Sequence, residues 1–160
     1  PNFRSALWAD RDEAIQAMLT GLAFADIVKV SDDEVELLTG CRDFSEGARS
    51  LVSGGAKLAL VTAGEQGTWY ASVSGIEGHI PSIKVDAVDT TGAGDTFLGA
   101  LLSGLLDYGR DLEGIPEQKL RRIIRFANVA GALCATGRGA IASMPNREQI
   151  LEQLEREAEG

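Results

Sequence analysis

The residues best suited to chemistry lie together near the middle of the chain, where a carboxylate follows a glycine-rich turn. Asp95 comes directly after Gly92-Ala93-Gly94 and precedes an apolar run from Phe97 to Leu106. A glycine turn that leads into a helix leaves backbone N–H groups without partners, and these groups favour an anion such as phosphate. A carboxylate beside such an anion hole suits a base that takes a proton from a hydroxyl while the N–H groups hold a phosphoryl group. Because the helix is apolar nearly all round, we expect it to be buried.

The same residues also have a purely structural interpretation. Aspartate near a helix start is a common cap, and glycines before helices often only turn the chain. However, Thr90 or Thr91 could already cap the helix. The presence of two glycines and a second acid, Asp95, in addition favours the interpretation as an anion hole. The spacing is not that of a P-loop, because no Gly-Lys-Ser/Thr follows at the required distance. The dinucleotide fingerprint is also excluded, because Gly94 is followed by Gly99 rather than by a glycine three residues on.

The segment Asp89-Thr90-Thr91-Gly92-Ala93-Gly94-Asp95-Thr96-Phe97 resembles the C-terminal signature of the ribokinase-like (phosphofructokinase-B-type) carbohydrate kinases. The resemblance implies that Asp95 is the catalytic base and contacts the sugar. It also implies that Gly92, Ala93 and Gly94 form the anion hole for the transferred phosphate.

The first residues resemble a second motif of the family. Pro1-Asn2-Phe3-Arg4-Ser5-Ala6-Leu7-Trp8 is similar to the Pro-Asn-x-Arg-x-x-Leu-Trp segment found in the middle of fructokinase-like members. The resemblance places Asn2 and Arg4 by the sugar site. From the residues alone, Arg4 could equally form a surface salt bridge, which contributes little.

A third segment, Lys29 to Gly40, resembles the family's Asn-x-x-Glu region. The resemblance implies that Ser31 lies at the nucleotide and that Glu34 helps to hold Mg²⁺ through water. Ser31 stands where ribokinases have asparagine, as it often does in fructokinase-like members. On physical grounds alone, Ser31 and Glu34 form a capping box at a helix start, and both roles are compatible.

Two further segments are expected at the nucleotide. Val61-Thr62-Ala63-Gly64-Glu65-Gln66-Gly67 resembles the family's Val-Thr-x-Gly-x-x-Gly, which implies that Thr62, Gly64 and Gly67 let backbone lie close to the ATP phosphates. Without the resemblance, this segment is a plain hairpin turn. Phe126-Ala127-Asn128 resembles the segment whose asparagine lies by the adenine. Asn128 could instead be a hydrogen-bonded amide in the core.

The loop from Thr136 to Pro145 resembles the one that flanks the purine. In many members such a loop forms a monovalent-cation site with the aspartate-threonine segment. The resemblance therefore assigns Asp89, Thr91, Gly139 and Ser143 to a cation such as K⁺. The alternative is a glycine-rich connection between two helices.

The elements that must position these residues alternate between strands and helices, which predicts an α/β doubly wound sheet with a partly antiparallel edge. The resemblance implies the C-terminal portion of a ribokinase-like three-layer α/β/α sandwich. The expected helices are 10–24, 32–39, 44–53, 95–106, 117–135 and 146–157, and the expected strands are 25–30, 57–62, 68–73 and 77–85.

Composition narrows the function classes. The 160 residues carry a formal net charge of −9, which argues against a nucleic-acid or anionic-membrane partner. No apolar run reaches the ~18 residues of a spanning helix. Cys41 and Cys134 show no pairing or metal spacing, which suits a reducing cytoplasm.

Together these features predict an ATP-dependent sugar kinase that uses Mg²⁺ and phosphorylates a primary hydroxyl, with fructokinase as the first expectation. A 2-keto-3-deoxygluconate kinase and a non-catalytic nucleotide-binding relative are the alternatives. Because the segment at Pro1 resembles the middle of such kinases, we expect residues 1–160 to be the C-terminal part of a single kinase domain. The N-terminal part and lid would then be absent, together with the surface through which a homodimer could form.

Overall fold

The computed structural model of the chain describes residues 1–109 and 111–159. In these residues the α-helices are α1 (Arg11–Leu22), α2 (Asp32–Thr39), α3 (Phe44–Ser53), α4 (Ala93–Tyr108), α5 (Glu117–Ala135) and α6 (Arg147–Glu159). The strands are β1 (Ile27–Ser31), β2 (Leu58–Thr62), β3 (Thr68–Ser72) and β4 (Glu77–Ile80), and they form one sheet in the order β1-β2-β3-β4. Short 3₁₀ turns occupy Ser5–Leu7, Gly64–Gln66 and Ile141–Ser143.

The described residues form two compact units. The first unit comprises Pro1–Ala63, Trp69–His79 and Leu112–Gly114, and the second comprises the other described residues. Among the described residues, no helix has the length and hydrophobicity that a membrane-spanning segment requires.

The first unit is built on the parallel pair β1 and β2, which run in register from Ile27 opposite Leu58 to Ser31 opposite Thr62. Parallel neighbours need a crossover connection, and α2 and α3 provide it. The strands are buried because helices cover them, and Val30, Leu60 and Val61 have no measurable exposure. The predicted bounds of α3 match the structure, and those of both strands differ by one or two residues.

The second unit contains α4, α5 and α6. Two glycines allow α4 and α5 to approach closely. A Cβ at Gly104 would lie 2.9 Å from the Ile123 side chain. A Cβ at Gly131 would lie 3.1 Å from the Ala93 carbonyl. Phe97 and Leu101 of α4 are buried in the second unit.

The expectation that the apolar helix after the glycine turn is buried holds for only part of its surface, which includes Phe97, Leu101 and Leu105. Leu102 of α4 is 40% exposed and Leu106 is 65% exposed. Hydrophobicity predicts that a helix can be buried, whereas the neighbouring elements decide which of its faces is covered. Within the second unit, α5 covers only part of the surface of α4.

The predicted strand 77–85 is also shorter in the structure, since β4 ends at Ile80 and residues 81–92 have no regular structure. Pro81 has no N–H to donate to a strand ladder. The carbonyls of Ile80 and Pro81 instead accept hydrogen bonds from α5 side chains, with Asn128 Nδ2 2.9 Å from the Ile80 oxygen and Arg125 Nη1 2.9 Å from the Pro81 oxygen. Side chains of α5 therefore bond the backbone carbonyls at the point where β4 ends.

Candidate active site

The start of α4 carries the predicted base and anion hole. Gly92 is the N-cap with a φ of 82°, and its carbonyl accepts the N–H of Thr96 at 2.8 Å. The Ala93 N–H donates to the Thr90 carbonyl at 3.1 Å. Within the described part of the chain, the N–H groups of Gly94 and Asp95 have no acceptor. The Gly92 N–H likewise has no acceptor in the described residues, so within the predicted Gly92–Gly94 turn only the N–H of Ala93 is in use, and Asp95 adds a further free donor.

Gly92 is required by the geometry of this turn. Its left-handed backbone conformation is unfavourable for residues with a side chain. A Cβ at this position would lie 2.5 Å from the Cβ of Ala140 in the loop that precedes α6. The glycine thus sets both the direction of the α4 axis and the distance between two predicted site loops.

Asp95 lies in the first turn of α4, and its side chain is exposed. Its carboxylate is therefore accessible to a ligand bound at the helix terminus. Thr96, the next residue, is only 8% exposed, and its Oγ1 is a buried side-chain atom without a hydrogen-bond partner in the described residues. Buried hydroxyls are normally paired, so Thr96 is a further candidate for ligand or water contact. Sequence reasoning missed Thr96, although it lies inside the quoted motif.

Asp89 connects the turn before α4 with the loop after α5. One carboxylate oxygen accepts the Thr91 N–H at 2.9 Å and the other accepts the Gly139 N–H at 3.1 Å. The Thr91 hydroxyl, and then the N–H groups of Thr91 and Gly139, lower the pKa of Asp89 below its ordinary value. The structure thus brings together three of the residues predicted for a monovalent cation.

Ser143, the fourth predicted cation residue, is held in the same loop. Its hydroxyl donates to the Arg138 carbonyl at 3.1 Å, next to Gly139. A Cβ at Gly137 would overlap the Ser143 side chain, so the glycine allows the loop to fold back on itself.

The first unit contains the residues that were predicted to contact the sugar and to hold Mg²⁺ through water. Ser31 and Glu34 form the expected capping box at the start of α2, because Ser31 Oγ accepts the Glu34 N–H at 3.2 Å and Glu34 Oε2 accepts the Ser31 N–H at 3.0 Å. Glu34 Oε1 also accepts the Phe3 N–H at 2.9 Å. Glu34 is 8% exposed, so its carboxylate is a nearly buried link between the cap and the first residues of the chain.

Asn2 and Arg4 flank the Phe3 backbone that Glu34 holds, and both side chains are exposed. Among the described residues, the guanidinium of Arg4 makes only a long contact of 3.5 Å with the Phe3 carbonyl. The structure thus places the predicted sugar residues on a segment that is anchored through its backbone while their side chains remain accessible.

The three residues predicted near the ATP phosphates have different surroundings. Thr62 Oγ1 donates to the Val30 carbonyl at 3.2 Å, so its hydroxyl joins the ends of β1 and β2. Gly64 is exposed with a φ of 49°. Gly67 is buried with a φ of 94°, and a Cβ there would overlap the backbone of residues 80–82. Gly67 therefore has a packing role, and contact with a nucleotide stays a prediction.

Asn128 is the buried amide that the structural alternative describes. Its Oδ1 accepts from Thr68 Oγ1 at 2.6 Å, and its Nδ2 donates to the Ile80 carbonyl at 2.9 Å and to that of Pro81 at 3.4 Å. Both the oxygen and the nitrogen of the amide thus have partners inside the protein. The side chain joins the start of β3 to the end of β4, and its position by the adenine stays a prediction.

The described residues contain no group of three His, Cys, Asp or Glu side chains that could hold a metal ion. Cys41 and Cys134 are both free thiols. Any Mg²⁺ in this region would need further ligands, such as phosphate oxygens and water.

These features are a helix terminus with unpaired N–H groups and an exposed carboxylate beside them, on an α/β fold. A sequence profile described as pfkB family carbohydrate kinase matches residues 1–147. The chain therefore belongs to the pfkB family of carbohydrate kinases, which confirms the resemblance seen in the sequence.

Individual relatives support the same assignment. Fructokinase-1 of Oryza sativa subsp. japonica is 44% identical over 156 residues, which are 97% of this chain and 47% of that protein. Probable fructokinase-2 of Arabidopsis thaliana is 43% identical over 160 residues, which are 99% of this chain and 48% of that protein. The chain spans about half the length of these curated relatives.

A solved structure confirms the ribokinase-like α/β fold class. It is a double mutant of a Vibrio cholerae O395 fructokinase with fructose, ADP and potassium ion bound. Its identity to this chain is 30% and the TM-score is 0.83, over 95% of this chain and 48% of that one.

Proposed function

We propose that the protein carrying this chain transfers the γ-phosphoryl group of ATP to a primary hydroxyl of a sugar, with fructose as the acceptor. The observation that carries this proposal is the start of α4, where two unpaired N–H groups lie beside the exposed carboxylate of Asp95. Family membership and the fructokinases among its relatives support the choice of reaction and acceptor.

Each group at the start of α4 has a distinct role in such a transfer. The Asp95 carboxylate accepts the proton of the attacking hydroxyl, which raises the nucleophilicity of the oxygen. The N–H groups of Gly94 and Asp95 donate to oxygens of the transferring phosphoryl group, and the positive end of the α4 dipole favours the same charge. These donors are held by the helix before the reaction begins, so little reorganisation is needed.

Magnesium and a monovalent cation complete the proposal. Mg²⁺ bound with ATP neutralises phosphate charge. Glu34 is suited to hold water bound to that ion, because each carboxylate oxygen accepts one N–H bond and keeps a further acceptor site. Asp89 is suited to K⁺, since its lowered pKa keeps it ionised beside Gly139 and Thr91.

The cation proposal is tested by exchanging K⁺ for tetramethylammonium at fixed ionic strength. We expect activity to fall several-fold, because the large ion cannot approach hard oxygen ligands. Equal rates in the two salts would remove the cation site from the proposal.

The two alternatives predicted from sequence remain experimentally separable. A 2-keto-3-deoxygluconate kinase would show a higher kcat/KM for that acid than for fructose. A non-catalytic relative would bind ATP without ADP formation, and the accessible carboxylate of Asp95 argues against it. We also propose a cytoplasmic location, because both cysteines are free thiols.

The assignment of the base is tested with Asp95→Asn in the protein that carries this chain. We expect kcat to fall at least ~100-fold, because proton transfer by a positioned base contributes about that much or more. The Kd values for ATP and fructose should change only a few-fold. Asp86→Asn, which removes an exposed carboxylate from the segment before the motif, is the matched control and should leave kcat unchanged. A near-normal kcat for Asp95→Asn would show that the base lies elsewhere.

A further inference from the structure

A groove in the second unit combines an apolar floor with a basic rim. It has a volume of about 800 Å³ and lies between the C-terminal part of α4, the first turns of α5, and α6. Ile123, Phe126, Leu151 and Leu154 supply much of its apolar surface. Its volume is within the range of about 300–1,000 Å³ that is typical of small-molecule sites.

The charges around this groove are opposite to that of the chain. Five of the 15 Lys and Arg residues line it, against one lining carboxylate, Asp107, in a chain with a formal net charge of −9. These cations are Lys119, Arg121, Arg122, Arg125 and Arg147. Clustering cations in an acidic protein raises their mutual repulsion, which a bound anion would relieve.

Two of the arginines are held in place by the protein itself. Arg125 donates from Nη1 to the Pro81 carbonyl at 2.9 Å and from Nη2 to Glu157 at 3.4 Å. Arg147 donates from Nη1 to Asp107 at 3.0 Å, and its guanidinium carbon lies 5.6 Å from the centre of the Phe126 ring. A guanidinium has five N–H donors, so both keep donors for a ligand in positions that are already ordered.

Two other cations of the groove are exposed. Lys119 and Arg122 are exposed on α5, and neither forms an ion pair within the described residues. The groove thus offers two anchored guanidinium groups together with two cations that can turn toward a ligand.

This groove is separate from the candidate active site. Asp107, which lines it, follows Asp95 by twelve residues on the same helix, and this corresponds to about 18 Å along the α4 axis. None of the residues that line the groove belongs to the start of α4 or to the loop after α5, so the two sites are formed by different residues.

We propose that this groove is a second binding site, for a small organic phosphate. Several guanidinium groups suit the paired oxygens of a phosphate, which they can contact in a bidentate manner. The floor formed by Ile123, Phe126 and Leu151 suits the carbon skeleton that carries the phosphate. A nucleotide and a sugar phosphate share this chemistry, so the experiment must distinguish them.

The test combines calorimetry with hydrogen-exchange mass spectrometry on the protein that carries this chain. The probes are inorganic tripolyphosphate, ADP and glucose 6-phosphate. We expect each probe to protect peptides from residues 118–126 and 147–154, with an affinity that falls as salt is raised. The tighter of ADP and glucose 6-phosphate identifies the class of organic phosphate.

The decisive variant is Lys119→Gln/Arg122→Gln, which removes two exposed cations of the groove. We expect it to bind tripolyphosphate at the groove at least tenfold more weakly. Arg11→Gln/Lys84→Gln removes two exposed cations elsewhere and is the matched control, with unchanged binding. Equal affinity in the two double variants, or protection confined to residues 92–95, would overturn the proposal. Failure of both ADP and glucose 6-phosphate to protect the groove would also overturn it.

Discussion

Glu34→Gln is the substitution that best tests how the first unit positions its predicted site residues. The carboxylate accepts the N–H groups of Phe3 and Ser31 at 2.9 and 3.0 Å, one on each oxygen. A glutamine amide has one acceptor oxygen, and its NH₂ group would face the second N–H. Whichever way the amide turns, one of the two backbone donors loses its partner.

The magnitude follows from these two bonds. Exchanging a charged acceptor for a neutral one costs about 1 kcal/mol, and leaving the other donor unpaired at a nearly buried position costs about 1–3 kcal/mol. We therefore expect Glu34→Gln to lower the free energy of unfolding by about 2–4 kcal/mol. Ser31→Ala removes only the acceptor for the Glu34 N–H and should cost about 1 kcal/mol.

The assay is urea denaturation of both variants and of wild type, with KM for sugar and the Mg²⁺ dependence of kcat measured in parallel. Because Phe3 lies between Asn2 and Arg4, a loosened segment should raise KM for sugar in Glu34→Gln more than in Ser31→Ala. If Glu34→Gln is no less stable than Ser31→Ala and changes only the Mg²⁺ dependence, Glu34 acts on the metal and does not hold the segment.

Two further predictions concern the second unit. Gly92→Ala should lower the free energy of unfolding by about 1–2 kcal/mol because of the left-handed backbone at this position, and by more because of the contact with Ala140. Gly99→Ala, at an exposed position of the same helix, should be neutral or stabilising. Thermal unfolding compares the two variants, and equal stability would refute the packing argument. Asp89→Asn should be less stable than wild type at pH 7. The pKa of Asp89 is lower in the folded state than its unfolded value of about 4, so the ionised carboxylate stabilises the fold above that pH. This stabilisation is lost as the pH falls through the lower, folded-state pKa. A stability difference in denaturant that is the same at pH 7 and pH 3 would contradict this.

The sequence by itself determined the features that depend on neighbouring residues. The bounds of α3 and α5 and the capping box of Ser31 and Glu34 were all predicted correctly, because caps and helical periodicity act over a few residues. The family was also readable, since its motifs are contiguous segments. The order of site residues along the chain follows from those same segments, while their roles stay predictions.

Tertiary structure decided the contacts between residues far apart in the chain. The hydrogen bond that the Glu34 carboxylate accepts from the Phe3 N–H joins residues 31 positions apart, and no local sequence pattern predicts it. The carbonyls at the end of β4 accept hydrogen bonds from Arg125 and Asn128, which reach them from α5. The sequence predicted a longer strand because residues 81–85 alternate between apolar and polar side chains. It gave no indication that side chains of α5 would donate to the carbonyls of this segment.

The same distinction applies to surfaces. Four of the five cations at the groove lie together in residues 119–125 of α5, whereas only the packing of α6 adds Arg147 to them, and only packing leaves Leu106 of α4 exposed. The residues of a segment fix its charge and hydrophobicity. Which other segments cover it is decided only when distant parts of the chain pack together. Local rules act over a few residues, and these contacts join residues tens of positions apart, so only the tertiary structure could reveal them.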